Sequence, residues 1–197
     1  MGYTTEFTGK VILNKSLDDD TYNFLKKFNE TRRMARKVDK KYGIEGEFYV
    51  DGKGFAGQDD DGTVIDHNRP PKTQPGLWCQ WVPSEDKMSI EWDGGEKFYS
   101  SYEWMVYLID KVLAPKGYIC NGTIEAQGEG TDDHWWLVVK NNKVSQKTLF
   151  DLQVAEEKLM IYETSKEELP LLINYPWISE TNKAFYNEFL KNIKVKK

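Results

Sequence analysis

Residues 76–104, GLWCQWVPSEDKMSIEWDGGEKFYSSYEW, decide the fold. Within them LWCQWV (77–82) sets Leu77, Cys79 and Trp81 against Trp78, Gln80 and Val82, and MSIEWD (88–93) sets Met88, Ile90 and Trp92 against Ser89, Glu91 and Asp93. Two such alternating runs joined by the turn-forming PSEDK predict a β-hairpin. The DGG that follows stops the second strand, and the period then changes. Phe98, Tyr102, Met105, Ile109 and Val112 recur at spacings of four and three, and the run ends at Pro115 and Gly117, which predicts an amphipathic helix starting near Glu96. A hairpin feeding directly into such a helix implies a sheet with a helix laid across it.

Working outward, Tyr3, Thr5, Phe7, Gly9, Val11 and Leu13 alternate as the inward side of an opening strand kinked at Gly9. Residues 16–37 follow, with Ser16 or Asp18 as the helix cap and Leu17, Thr21, Leu25 and Phe28 on one stripe. Glu47 to Val50 read as a short strand, after which Gly, Asp and Pro forbid regular structure as far as Gly76. Residues 118–129 and 134–139 read as strands, and Asn141 and Asn142 as a turn tolerant of positive φ that leads into a last strand, 144–147. The expected class is α+β, a mostly antiparallel sheet with two helices on one face. Residues 1–148 form the expected core domain. Residues 149–197 are expected to pack on it as an extension, with a strand at Lys158 to Tyr162 and a helix capped by Ser179.

The chain has 197 residues, 39% hydrophobic and 30% charged, and no apolar run of membrane-spanning length. Its N-terminus lacks a basic, apolar and small-residue succession, so a cytoplasmic protein is expected, with Cys79 and Cys120 as reduced thiols. A formal charge of -5 argues against binding phosphate backbones. Two Cys and two His argue against a metal site of soft ligands, and no cofactor is expected.

Cys79 invites a nucleophile reading with His67 or His134 as base, but its strand face is shared with Leu77 and Trp81, the setting of a core thiol. Asp93 and Glu96 beside the Gly-Gly turn, joined by His134, make the alternative catalytic set of a hydrolase or nucleotide-processing enzyme, with or without a divalent cation. Acids in a first helical turn also arise from dipole chemistry alone. Asp59, Asp60 and Asp61 lack the alternation of a calcium-binding loop. Arg32, Arg33 and Arg36 form a basic cluster able to meet phosphate or an acidic protein patch, or simply a solvated helix face. Seven Trp and eleven Tyr exceed the needs of one core, and Trp78, Trp136, Trp177 and Tyr107 are the candidates to fall opposite the apolar stripes. The leading expectation is a non-enzymatic binding protein whose contacts are Trp78, Trp136, the Asp59–Asp61 loop and Arg32, Arg33 and Arg36.

The runs QPGLWCQWVP (74–83) and IEWDGGEKFY (90–99), together with the opening GYTTEFTGKVILNKSLDD and the ETRRMARK cluster, resemble a family of uncharacterised proteins from tailed-phage and bacterial genomes. The resemblance spans roughly residues 2 to 145. It implies a phage-related protein acting on a host protein in counter-defence, for example neutralising a toxin such as a DNA ADP-ribosyltransferase, and it implies no catalytic residues. His67 stands where that family carries an aromatic, and the segment after Thr148 lies outside the likeness.

Overall fold

Two glycines, Gly9 and Gly122, let the sheet's central pair of strands approach. In β1 (Thr5–Leu13) Gly9 has φ +111° and lies opposite Ile124 of β6 (Cys120–Gly128), where an added Cβ would sit 2.5 Å from the carbonyl oxygen of Thr123. The computed structural model describes residues 2–148 and Asp151. The chain divides into two units, residues 1–148 and 149–197; the first is described here. The strand at Lys158 to Tyr162, Trp177, the helix after Ser179 and the packing of residues 149–197 on the core lie outside the described residues.

Between β1 and β6 in the chain come α1 (Asp19–Glu30), a two-strand ribbon of β2 (Ala35–Arg36) and β3 (Val64–Asp66), the hairpin of β4 (Trp81–Pro83) and β5 (Ser89–Trp92), and α2 (Ser101–Leu108). After β6 come β7 (His134–Lys140) and β8 (Lys143–Thr148). Six strands form one antiparallel sheet in the order β4-β5-β1-β6-β7-β8. Phe7, Val11, Ile90, Ile124 and Leu137 point inward from it and share one core with Leu25 and Phe28 of α1 and Trp104, Met105 and Leu108 of α2. Phe28 meets both Trp104 and Tyr107, so the helices lie side by side in one layer. The architecture is α+β. Among the described residues no helix is long and apolar enough to cross a membrane.

Local chemistry explains most element boundaries. Asp18 caps α1, accepting from the Thr21 amide (2.7 Å), the Thr21 hydroxyl (2.8 Å) and the Tyr118 hydroxyl (2.8 Å). Those donors, Thr21 foremost, hold its carboxyl down at about 2. A folded-state value below the ordinary one gives stabilisation that is present above about pH 4 and lost as pH falls through about 2. Asp18→Ala is therefore expected to cost about 1 kcal/mol, the usual worth of a cap with its charge screened by solvent. Urea titrations at neutral pH and in acid check this: the difference between the two proteins should narrow in acid. Asn141 and Asn142, with φ of 49° and 67°, make the expected turn between β7 and β8.

Three expected boundaries shift. Residues 47–50 form no strand, because Gly43 and Gly46, both at φ 79°, and Glu45 at φ 54° wind the chain through short 3-10 turns and withdraw Glu47 into the interior. The first hairpin strand is confined to Trp81–Pro83, since Asn29 Nδ2 of α1 takes the Cys79 carbonyl (2.7 Å). The second helix begins at Ser101 rather than near Glu96, because Lys97 and Ser100 adopt left-handed φ. It widens through Ile109–Leu113 as a π-helical turn and ends on the left-handed Gly117.

Candidate binding surface

α1 ends at Glu30, with Thr31 extended, so Arg32, Arg33 and Arg36 do not continue a helix face. They also form no surface patch. Arg33 and Arg36 are each 2% exposed, because the chain folds over them and supplies internal acceptors to their guanidinium groups, Arg33 Nη1 excepted. The Arg33 guanidinium lies 4.2 Å over the Phe28 ring and donates to the Glu47 carbonyl (3.0 Å) and Gln74 Oε1 (3.4 Å). Burial pulls its pKa down to about 10, which still leaves it cationic at neutral pH. Gln74 Nε2 donates to the Glu47 carbonyl (2.5 Å) and the Tyr107 hydroxyl (3.1 Å), and Tyr107 donates to Glu47 Oε1 (3.0 Å). Burial, ahead of the neighbouring carboxylate, raises the Tyr107 phenol.

Arg32 and Arg36 brace the segment that follows. The Arg32 amide donates to the Ala56 carbonyl (2.9 Å), and its guanidinium to Gln58 Oε1 and Asn68 Oδ1 (both 3.0 Å). Arg36 donates to the Gly57 carbonyl, to Thr63 Oγ1 (2.8 Å) and to Asp61 Oδ1 (3.2 Å). Asp61 is thus committed within the fold, its carboxyl lowered chiefly by the Thr63 hydroxyl and amide. Asp60 takes the Gly62 amide (3.0 Å) in a turn, and both Asp59 and Asp60 remain exposed. What the arginines hold in place is the turn Phe55–Gly57, with Ala56 at φ 51°, and on it Phe55 stands 86% exposed.

Two other exposed rings line the depressions around Phe55. Trp78 is 38% and Tyr99 61% exposed. Phe55 and Trp78 flank a depression of about 400 Å³ floored by Cys79 and closed by Asn29, Glu30 and Asp93. Trp78 and Tyr99 flank a second, of about 420 Å³, with Asn68, Pro70 and Leu77. A third, of about 350 Å³, shares Asn29, Glu30 and Asp93 with the first and continues between α1 and the β4–β5 hairpin past Trp92. Asn29, Glu30 and Asp93 join the first and third into one trough, and Trp78 stands between the first and the second.

Trp136 does not belong to it. Its neighbour Trp135 touches Phe7 in the core, so strand alternation turns Trp136 to the sheet face away from the helices, beside the His134 ring (4.4 Å between centroids). His134 Nε2 lies 2.6 Å from Glu125 Oε1 on that same face. Asp93 is in the trough, accepting from Asn29 Nδ2 and the Gly95 amide (both 2.8 Å), whereas Glu96 is exposed and meets Gln80 only through its carbonyl (2.9 Å). The set Asp93, Glu96 and His134 is therefore not brought together. Among the described residues no three His, Cys, Asp or Glu side chains gather closely enough to hold a metal ion.

Cys79 and Cys120 are both fully buried, and burial pushes their thiols up to about 12 and about 11, so neither presents a thiolate at neutral pH. Sequence reasoning located Trp78 but missed Phe55 and Tyr99. The signal for Phe55 was a lone aromatic between glycines in a polar segment, with no apolar residue at strand or helix spacing to share a core with. Comparison of the chain with protein-family models, with curated proteins and with solved structures gives no match.

Proposed function

We propose that this protein acts by binding another protein stoichiometrically through the surface of Phe55, Trp78 and Tyr99, with phage counter-defence in a host cytosol as its setting. One observation carries the reading: three large rings are exposed around a trough that none of them fills, Phe55 on a turn braced by Arg32 and Arg36. Exposed aromatics on a rigid support give large contact area at small entropic cost, the usual make-up of binding anchors. The catalytic alternative loses its support in the separation of His134 from Asp93.

The test is capture from host lysate with the full chain as bait, alongside Phe55→Ala/Trp78→Ala and Trp136→Ala. A partner retained at equal stoichiometry by the wild type and Trp136→Ala, and lost by the double variant, supports the reading. Turnover of a substrate with no stoichiometric partner would reverse it.

A further inference from the structure

The trough carries a charge pattern that names the chemistry of its occupant. Where α1 faces the β4–β5 hairpin, it is lined by four acidic residues, Glu30, Glu85, Glu91 and Asp93, and one lysine, Lys26. Among the described residues none of the four makes an ion pair; Asp93 alone is held, by neutral donors. Trp92 lies in the same wall, and Trp78 and Phe55 follow in the adjoining depression. At the Tyr22 end the protein supplies cations of its own, Lys87 at 5.0 Å and Lys26 at 5.7 Å from the ring centre. Further along, the carboxylates make no ion pair and the indoles no cation contact among the described residues.

We infer that the trough receives an arginine-bearing segment of the partner protein. A guanidinium satisfies both features of the walls, pairing with carboxylates through its planar donors and stacking on an indole face. Addition of the segment as a further strand is disfavoured, because β4 is a short edge strand and Pro83 has no amide to donate. Recognition therefore runs through side chains. The inference rests on the reading of the Trp78 surface as a protein-binding site and adds to it the character of the bound segment.

Calorimetric titration of the full chain with a tetra-arginine peptide, a tetra-glutamate peptide and spermine tests it. The expected result is binding of tetra-arginine, weakened roughly tenfold in Glu85→Gln/Glu91→Gln, weakened at least as much in Phe55→Ala/Trp78→Ala, and reduced by added salt. Tetra-glutamate should not bind. Glu85 is exposed and Glu91 half-buried without an ion pair, so that variant should keep its circular dichroism spectrum and melting temperature. Tetra-arginine binding that is absent, or indifferent to both variants, overturns the inference. Spermine binding as tightly as the peptide overturns the commitment to a protein segment. Should tetra-arginine fail while capture of a partner still depends on Phe55 and Trp78, the inference falls and the binding reading stands; capture indifferent to those two rings brings down the reading itself.

Discussion

Replacing Phe55 and Trp78 together by alanine is expected to weaken partner binding by a hundredfold to a thousandfold. A hot-spot aromatic contributes about 2 kcal/mol or more, and about 1.4 kcal/mol is tenfold in affinity. Two rings on one depression share contacts, so their effects should fall short of strict additivity. Little of this loss can come from unfolding: Phe55 is 86% exposed and Trp78 lies outside the buried core cluster. Surface plasmon resonance with the captured partner, beside thermal melts of each variant, separates the two effects. Trp136→Ala, on the opposite sheet face, should bind as the wild type does.

The second large effect concerns stability. Arg33→Met removes a guanidinium from the face of Phe28 and leaves Gln74 Oε1 without its Arg33 donor, in an interior that also holds Glu47 and Tyr107. Removing a charged donor from two buried acceptors, with the packing of its side chain, costs about 3 kcal/mol. At about 2–4 °C per kcal/mol for a chain of this size, the melting temperature should fall by roughly 10 °C. Arg33→Lys should restore little, because an ammonium offers neither the planar stack nor the fork of donors. Were Arg33 part of a solvated basic face, both variants would melt within a degree or two of the wild type, and urea denaturation would show the same. Since Arg32, next to Arg33, holds the Phe55 turn through its amide and guanidinium, Arg33→Met should also loosen the candidate binding surface.

The parts of the fold that could be read from the sequence are those fixed within a few residues along the chain. Asp18 caps because Thr21 is three residues away, and Thr21, Leu25 and Phe28 are buried because helical spacing aligns them. Asn141 and Asn142 turn because both tolerate positive φ. The alternation of residues 88–93 holds for the same local reason, with Ile90 in the core and Glu91 turned from it.

What could not be read depends on distant partners. Arg33 reaches Glu47 and Gln74, separated from it by 14 and 41 residues, and Arg36 reaches Asp61 across 25. Without that knowledge a run of arginines reads as solvated. Phe48, Tyr49 and Val50 have strand propensity, yet Gly43 and Gly46 turn them aside. The candidate site divides in the same way: Trp78 shows itself by falling off the apolar face, whereas Phe55 is held out in solvent on a turn that depends on the Arg32 and Arg36 braces. The separation of Trp136 and His134 from Asp93 required the strand order.

Hydroxyl-radical footprinting of the captured complex tests the binding surface most directly. Phe55, Trp78 and Tyr99 should lose reactivity when the partner is bound, with Trp136 and His134 unchanged. Protection of Trp136 and His134, with Phe55 and Trp78 as reactive as in the free protein, would place the interface on the other face of the sheet and contradict the binding surface drawn here.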